Sequence, residues 1–212
     1  MNRGLLFLAV FFFAVGFNRG ELSSVDEGFI YRTTQSLVDR GSWRMDEELS
    51  GRRLSRFSPL PSLLAAPAYF IGQSIVPPGP RRDERLLFVT ELTSCLLVAL
   101  TAVALSLWVA ELGGGSGFRA ALLWFLATFQ FAYSSTLYHQ IPATLFATLA
   151  FRAYSAERAR SAGIWFAMMV FTQTNLAVLP LGALVFGSFL GAPPSRKLLF
   201  TVLAGVAAGA AG

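Results

Sequence analysis

Two adjacent carboxylates, Asp26 and Glu27, stand in the polar stretch Ser24-Val25-Asp26-Glu27-Gly28-Phe29-Ile30-Tyr31-Arg32, just after the first apolar run of the chain. A carboxylate at such a membrane face can take a proton from a reacting hydroxyl, or share a divalent cation with its neighbour. It can also do neither. Acids in the first turn of a helix stabilise the macrodipole by about 0.3 to 1 kcal/mol without any chemical duty.

Other reactive side chains are sparse. His139 is the sole histidine and Cys95 the sole cysteine, the latter inside an apolar run. A zinc set and an internal disulfide are therefore ruled out, and no metal or cofactor is expected beyond a divalent ion on Asp26 and Glu27. A lone His beside Tyr138 reads as a solvated or capping residue, with proton shuttling as the alternative. The run Gly113-Gly114-Gly115-Ser116-Gly117 has no strand before it and no Lys-Ser/Thr after it, so it reads as a turn and not as a phosphate loop.

The elements that must position these groups are set by composition. Apolar residues make up 54% of the 212 and charged residues 14%, with 20 Phe. Long uncharged stretches of this kind exceed the needs of a soluble core and indicate an integral membrane protein. The expected fold is all-α, a polytopic transmembrane helix bundle with one long extracytoplasmic loop that carries amphipathic interfacial helices. It forms a single transmembrane domain over 1–212.

Residues 4–17 read as the first transmembrane helix, although a hydrocarbon core asks for about 20 helical residues. A signal peptide is the competing reading, with Ala14-Val15-Gly16 as a loose cleavage site. Residues 18–85 form the outer loop. Within it Ser24-x-x-Glu27 has the form of a capping box, and Phe29, Ile30, Thr33, Leu37 and Val38 recur on one helical face until Gly41 offers a stop. Ser58-Pro59 starts a second helix, too apolar for water and too short to span, which places both helices along the interface.

Residues 86–110, 118–133 and 141–154 read as transmembrane helices, with Glu91 inside the first of them. Residues 163–190 are too long for one crossing and are interrupted by Thr172-Gln173-Thr174-Asn175 and Pro180, so they form a broken helix or a hairpin. Residues 198–212 read as the start of a truncated transmembrane helix, the chain as a fragment. Beyond Glu111 six basic residues (Arg119, Arg152, Arg158, Arg160, Arg196, Lys197) face one acid, Glu157, which accounts for the net charge of +5. The positive-inside rule is obeyed if Arg196 and Lys197 share a side with Arg158 and Arg160, and that requires the hairpin. The amino terminus is then inside and the 18–85 connection outside. Its ten Arg are accompanied by nine acids, and long loops follow the rule loosely.

In this topology four polar groups face one aqueous boundary: Asp26 and Glu27, Arg81 and Arg82, Tyr138-His139-Gln140, and Thr172 to Asn175. Such convergence makes a candidate site. A first helix, an outer loop opening with Asp-Glu and an amphipathic helix, the segment Ser58-Pro59-Leu60-Pro61-Ser62-Leu63-Leu64, and Phe171-Thr172-Gln173-Thr174-Asn175-Leu176 followed by Leu179-Pro180-Leu181 together resemble the amino-terminal part of the C-type glycosyltransferase superfamily. The nearest likeness is to bacterial lipid-carrier-dependent transferases related to protein O-mannosyltransferases and aminoarabinose transferases.

The resemblance implies sugar transfer from a polyprenyl-phosphate-linked donor at the extracytoplasmic face of a multi-pass protein of the bacterial inner membrane. The family's outer-loop acid maps onto Asp26, with Glu27 as its neighbour. Such a carboxylate can take the proton of a weakly nucleophilic hydroxyl as the glycosyl bond breaks. Arg81 and Arg82 are candidates for the donor phosphate, because guanidinium matches phosphate bidentately. Tyr138, His139, Gln173 and Asn175 complete the substrate-binding set, Gln173 standing where the family often carries Lys or Arg. The partners implied are the lipid-linked donor, an acceptor the residues do not identify, and membrane lipids. Nucleic acid is not among them, since Arg152, Arg158 and Arg160 read as topology markers drawn to anionic lipid. The rival classes are a transporter, whose marks are internal repeats and ionisable groups at mid-membrane, and a noncatalytic membrane scaffold.

Overall fold

A computed structural model describes residues 2–49, 52–54, 58–113, 115–173, 176 and 196–211, which are predominantly α-helical. They divide into two compact units, Met1–Ile141 and Pro142–Gly212.

The first unit is organised on one long helix. Helix α1 (Arg3–Gly16) starts where the Asn2 side chain accepts the Gly4 N–H at 3.0 Å. It buries Leu6, Val10 and Ala14 on one face and leaves Leu5, Leu8 and Phe12 exposed on the other. Helix α2 (Val25–Arg40) is capped by Ser24 and ended by Gly41, whose φ of 64° is the left-handed conformation that glycine adopts without penalty. A short antiparallel hairpin follows, β1 (Arg44–Leu49) with β2 (Arg52–Leu54). This hairpin adds a two-stranded element to an outer loop that carries the two expected helices, α2 and the one that follows.

Helix α3 (Leu60–Ile75) begins one residue after Pro59, with the Ser58 hydroxyl accepting the Leu60 N–H at 3.2 Å. Its Leu63, Phe70, Ile71 and Ile75 are exposed, an apolar face consistent with the interfacial reading. Helix α4 (Arg82–Glu111) has 30 residues, about 45 Å at 1.5 Å per residue, more than the roughly 30 Å hydrocarbon core. Among the described residues it is the one helix long and apolar enough to cross a membrane. Helices α1 and α3 pack against it, as does α5 (Gly117–Ala127). Close approach depends on small residues: a Cβ on Gly72 would press on Leu86 and Val89, and one on Gly117 would overlap the Ser106 carbonyl.

Several boundaries differ from the expected spans. Residues 118–133 are not one helix, because Thr128 is extended and separates α5 from α6 (Phe129–Tyr133). Its hydroxyl turns back to the Trp124 carbonyl at 2.6 Å and accepts the Gln130 N–H at 3.2 Å, closing one helix and opening the next.

In the second unit α7 (Gln140–Ser155) packs against α8 (Ala159–Thr172) through stacked Phe146 and Trp165 and edge-on Phe151 and Phe166. Helix α8 begins four residues before the expected start at Gly163 and stops at Thr172, where Gln173 is extended. The remainder of 163–190, and with it the choice between kink and hairpin, lies outside the described residues. Helix α9 (Arg196–Ala211) packs on α8. Gly163 and Gly205 meet at the crossing, where a Cβ on Gly163 would stand 2.6 Å from Thr201 Cγ2 and one on Gly205 would overlap the Gly163 carbonyl.

Candidate functional site

The site is built around the start of α2. Ser24 Oγ accepts the Glu27 N–H at 3.2 Å, the forward half of a capping box. The return half is displaced by one residue: Glu27 Oε2 accepts from the Ser23 N–H at 2.7 Å and the Ser23 hydroxyl at 3.0 Å. That displacement frees Oε1, which accepts the Leu137 N–H at 2.8 Å from the loop between α6 and α7. Glu27 is 0% exposed and carries three hydrogen bonds, so it ties the helix start to a loop remote in sequence. Asp26, one residue earlier in the same turn, is only partly buried.

The peptide between α1 and α2 is fixed as firmly. Asn18 Nδ2 donates to the Phe88 carbonyl of α4 at 3.0 Å, and Asn18 Oδ1 accepts the Gly20 N–H at 3.0 Å. Gly20 has φ of 65°, and a Cβ there would lie 2.7 Å from the Glu84 carbonyl. Only glycine combines that conformation with that proximity.

This brings a second carboxyl against the first. Glu91 of α4 is 1% exposed and lies close to Glu27. The Gly20 N–H is near it but is directed at Asn18 Oδ1. Among the described residues no donor completes a hydrogen bond to either Glu91 oxygen. Two carboxyls this close and shut from water repel each other wherever both are charged. The acid that Glu27 faces is thus across the helix interface, a neighbour that chain order does not reveal.

Farther along α2 the Tyr31 hydroxyl donates to the Asp83 carbonyl at 3.5 Å, and its ring meets Tyr69 edge-on at 5.9 Å. Burial raises the Tyr31 hydroxyl above its ordinary 10.0, with Tyr69 and Asp83 adding to the effect. Beside the Ser23 and Glu27 network opens a cleft of about 260 Å³, lined by Phe17, Arg19, Glu21, Ser23, Ala132, Ser135 and Thr136.

The expected site residues fare differently. Asp26, Glu27, Tyr138 and His139 are gathered by the Glu27 to Leu137 bond, and Tyr138 packs on Tyr133 at 4.8 Å. His139 is 7% exposed, which corrects its reading as a solvated loop residue: the loop is drawn inward by the bond from Leu137 to Glu27. Arg81 is the N-cap of α4, its side chain 75% exposed and 3.9 Å from Glu84. Arg82 opens the first turn of α4 and is partly buried. Neither arginine lines the cleft, where the cation is Arg19. Gln173 belongs to the second unit, and Asn175 lies outside the described residues. Among the described residues no group of three or more His, Cys, Asp or Glu is arranged to hold a metal ion.

Sequence reasoning missed Arg19, Glu21 and Glu91. The first two stand in a short polar linker with no motif, and for the third the sequence leaves a hydrated and an inward-turned carboxylate open, of which the structure shows the inward one. No protein-family model, curated protein or solved structure matches the chain.

Proposed function

We propose that the chain is the membrane-embedded part of a glycosyltransferase, a multi-pass helical protein of the bacterial inner membrane that moves a sugar from a polyprenyl-phosphate-linked donor to an acceptor at the extracytoplasmic face. Asp26 is the general base. It takes the proton of the acceptor hydroxyl as that oxygen bonds to the anomeric carbon and the bond from the sugar to the donor phosphate breaks, releasing polyprenyl phosphate. Glu27 is a positioning residue, not a second base, because its oxygens are committed to Ser23 and Leu137. Tyr138 and His139 stand on the loop that Glu27 holds, where they would meet the acceptor.

The observation that carries this reading is the Glu27 clamp. It fixes the turn bearing Asp26, next to a cleft that Ser23 lines at the end of an apolar helix, where a lipid-linked substrate would present its head group. The test is Asp26→Asn in membranes of the full-length protein, with consumption of lipid-linked sugar as the readout. Turnover should fall at least a hundredfold, a general base contributing about 10² to 10⁴. Unchanged turnover removes Asp26 as the base.

One observation favours a second reading. The Glu27 and Glu91 carboxyls are fully buried against each other, and ionisable groups within a span often serve ion-coupled transport. Solute uptake that proceeds without lipid donor and fails in Glu91→Gln would favour the transporter.

A further inference from the structure

Glu27 and Glu91 are both fully buried, yet they are served unequally. Glu27 stands in the first turn of α2, where the helix N-terminus favours a negative charge, and it accepts from the Ser23 N–H, the Ser23 hydroxyl and the Leu137 N–H. Glu91 has no such provision. Among the described residues no donor completes a hydrogen bond to its Oε1 or to its Oε2, and the charged group that acts on it is Glu27, of its own sign. Helices α1, α3 and α5 pack against α4, and their ionisable side chains are Arg3, Tyr69 and Arg119. Both arginines are exposed, and the Tyr69 hydroxyl turns to Asp39.

Burying a charge without a partner is costly, so the pair calls for one positive charge. A carboxylate offers about four lone-pair sites. Glu27 uses three of them and keeps one on Oε1, whereas both oxygens of Glu91 are open. A single proton would engage one Glu91 oxygen and leave the other without a partner. An alkali cation can take both, together with the open side of Glu27. A divalent ion asks for about six or more oxygens, and among the described residues no third His, Cys, Asp or Glu stands with the two. A route inward is present, because Ser23 is exposed, lines the cleft, and places its hydroxyl on Glu27.

We propose that Glu91 and Glu27 bind one monovalent alkali cation, such as sodium, admitted from the cleft past Ser23. The ion cancels the repulsion between the two carboxyls and keeps Glu27 on Ser23 and Leu137. The seating of the loop between α6 and α7 therefore depends on occupancy, since the side chain that holds this loop is the one an uncompensated Glu91 pushes against. The site needs neither a lipid donor nor a transported solute, so it rests on neither functional reading.

The test is thermal unfolding of the full-length protein in detergent at neutral pH, with sodium chloride exchanged for choline chloride at constant ionic strength. The midpoint should rise with sodium and level off, by about 3 to 6 °C at about ten times the half-saturating concentration. Glu91→Gln, which puts a neutral amide at the site, should match or exceed the parent in choline chloride and show no sodium response. Glu91→Asp should keep a response, shifted to higher sodium. Amide hydrogen exchange at Leu137 should slow with sodium in the parent and stay unchanged in Glu91→Gln. Equal sodium responses in the parent and Glu91→Gln overturn the proposal. A parent midpoint that is flat in sodium overturns it as well, and if that midpoint rises on acidification instead, a proton alone occupies the pair.

Discussion

Glu27 Oε1 accepts the Leu137 backbone N–H at 2.8 Å across 110 residues of sequence. With Ser23 on its other oxygen, this one side chain fixes the start of α2 and the position of the loop after α6.

Glu27→Gln should therefore destabilise the protein out of proportion to the change in size. An amide has one acceptor oxygen where the carboxylate has two, so either the Ser23 donors or the Leu137 N–H must face an NH₂ group. A buried donor left without an acceptor costs about 1 to 3 kcal/mol. Thermal unfolding in detergent should show a lowered midpoint, and an unshifted midpoint would mean that the three hydrogen bonds carry no net stability.

Glu91→Gln should behave in the opposite way. The amide is neutral, nearly the same size, and can donate to the Glu27 carboxylate. Stability should be retained or gained. A cycle with Glu27→Gln should give a coupling of about 0.5 to 3 kcal/mol, the range for residues in contact. Additive effects would show that the two carboxyls do not interact.

Tyr31 predicts a loss of stability at alkaline pH. Its hydroxyl is raised by burial above the ordinary 10.0, so the folded state keeps a proton that the unfolded chain gives up. The contribution is complete below pH 10.0 and is lost as pH rises from there through the raised value. Tyr31→Phe should flatten this alkaline decline at little cost near neutrality, because the bond to the Asp83 carbonyl is long at 3.5 Å. Parallel declines in both proteins would assign the effect elsewhere, Tyr69 being the next group raised by burial.

Gly163→Ala should loosen the second unit. The added methyl would fall 2.6 Å from both Thr201 Cγ2 and the Thr201 carbonyl, and overpacking of this kind costs about 1 to 3 kcal/mol. Faster proteolysis within Ala159–Ala211 than in the parent protein is the expected outcome. Unchanged cleavage would mean that α9 shifts to accept the methyl without penalty.

Arg81→Ala, in contrast, should alter stability by less than about 0.5 kcal/mol, as exposed ion pairs contribute little. Its side chain is 75% exposed and its one pairing among the described residues, to Glu84, is 3.9 Å long. A larger loss measured by thermal unfolding would point to a partner for the guanidinium other than Glu84.

Much of α2 was legible in the sequence because its signals are local. Ser24 and Gly41 mark both ends, and Phe29, Ile30 and Thr33 are buried as their spacing required. The long apolar helix was legible for the same reason, only its first turn being underestimated, since Arg82, Asp83 and Glu84 read as a loop. The role of Glu27 was half legible. A capping box predicts that its side chain turns back, but the displacement onto Ser23, and the bond to Leu137 that it permits, depend on how distant segments pack. Glu91 and Arg19 were illegible as site residues, because a helix position or a linker residue acquires meaning only from what is packed against it. The break at Thr128 was hidden by the apolar residues on both sides, which continue the hydropathy of a helix through a backbone that is extended.

The Asn18 side chain reaches the Phe88 carbonyl over 70 residues, and Gly20 sits against Glu84 and Phe88. The linker that carries Arg19 and Glu21 therefore cannot take its final shape when α1 leaves the ribosome. It must wait until α4 has been synthesised and inserted, with the entropy of closing so long a loop opposing the contact until then. Biogenesis thus has a built-in order in which the earliest segment matures late, so a nascent chain arrested before α4 would hold its first helix with the following linker still unshaped.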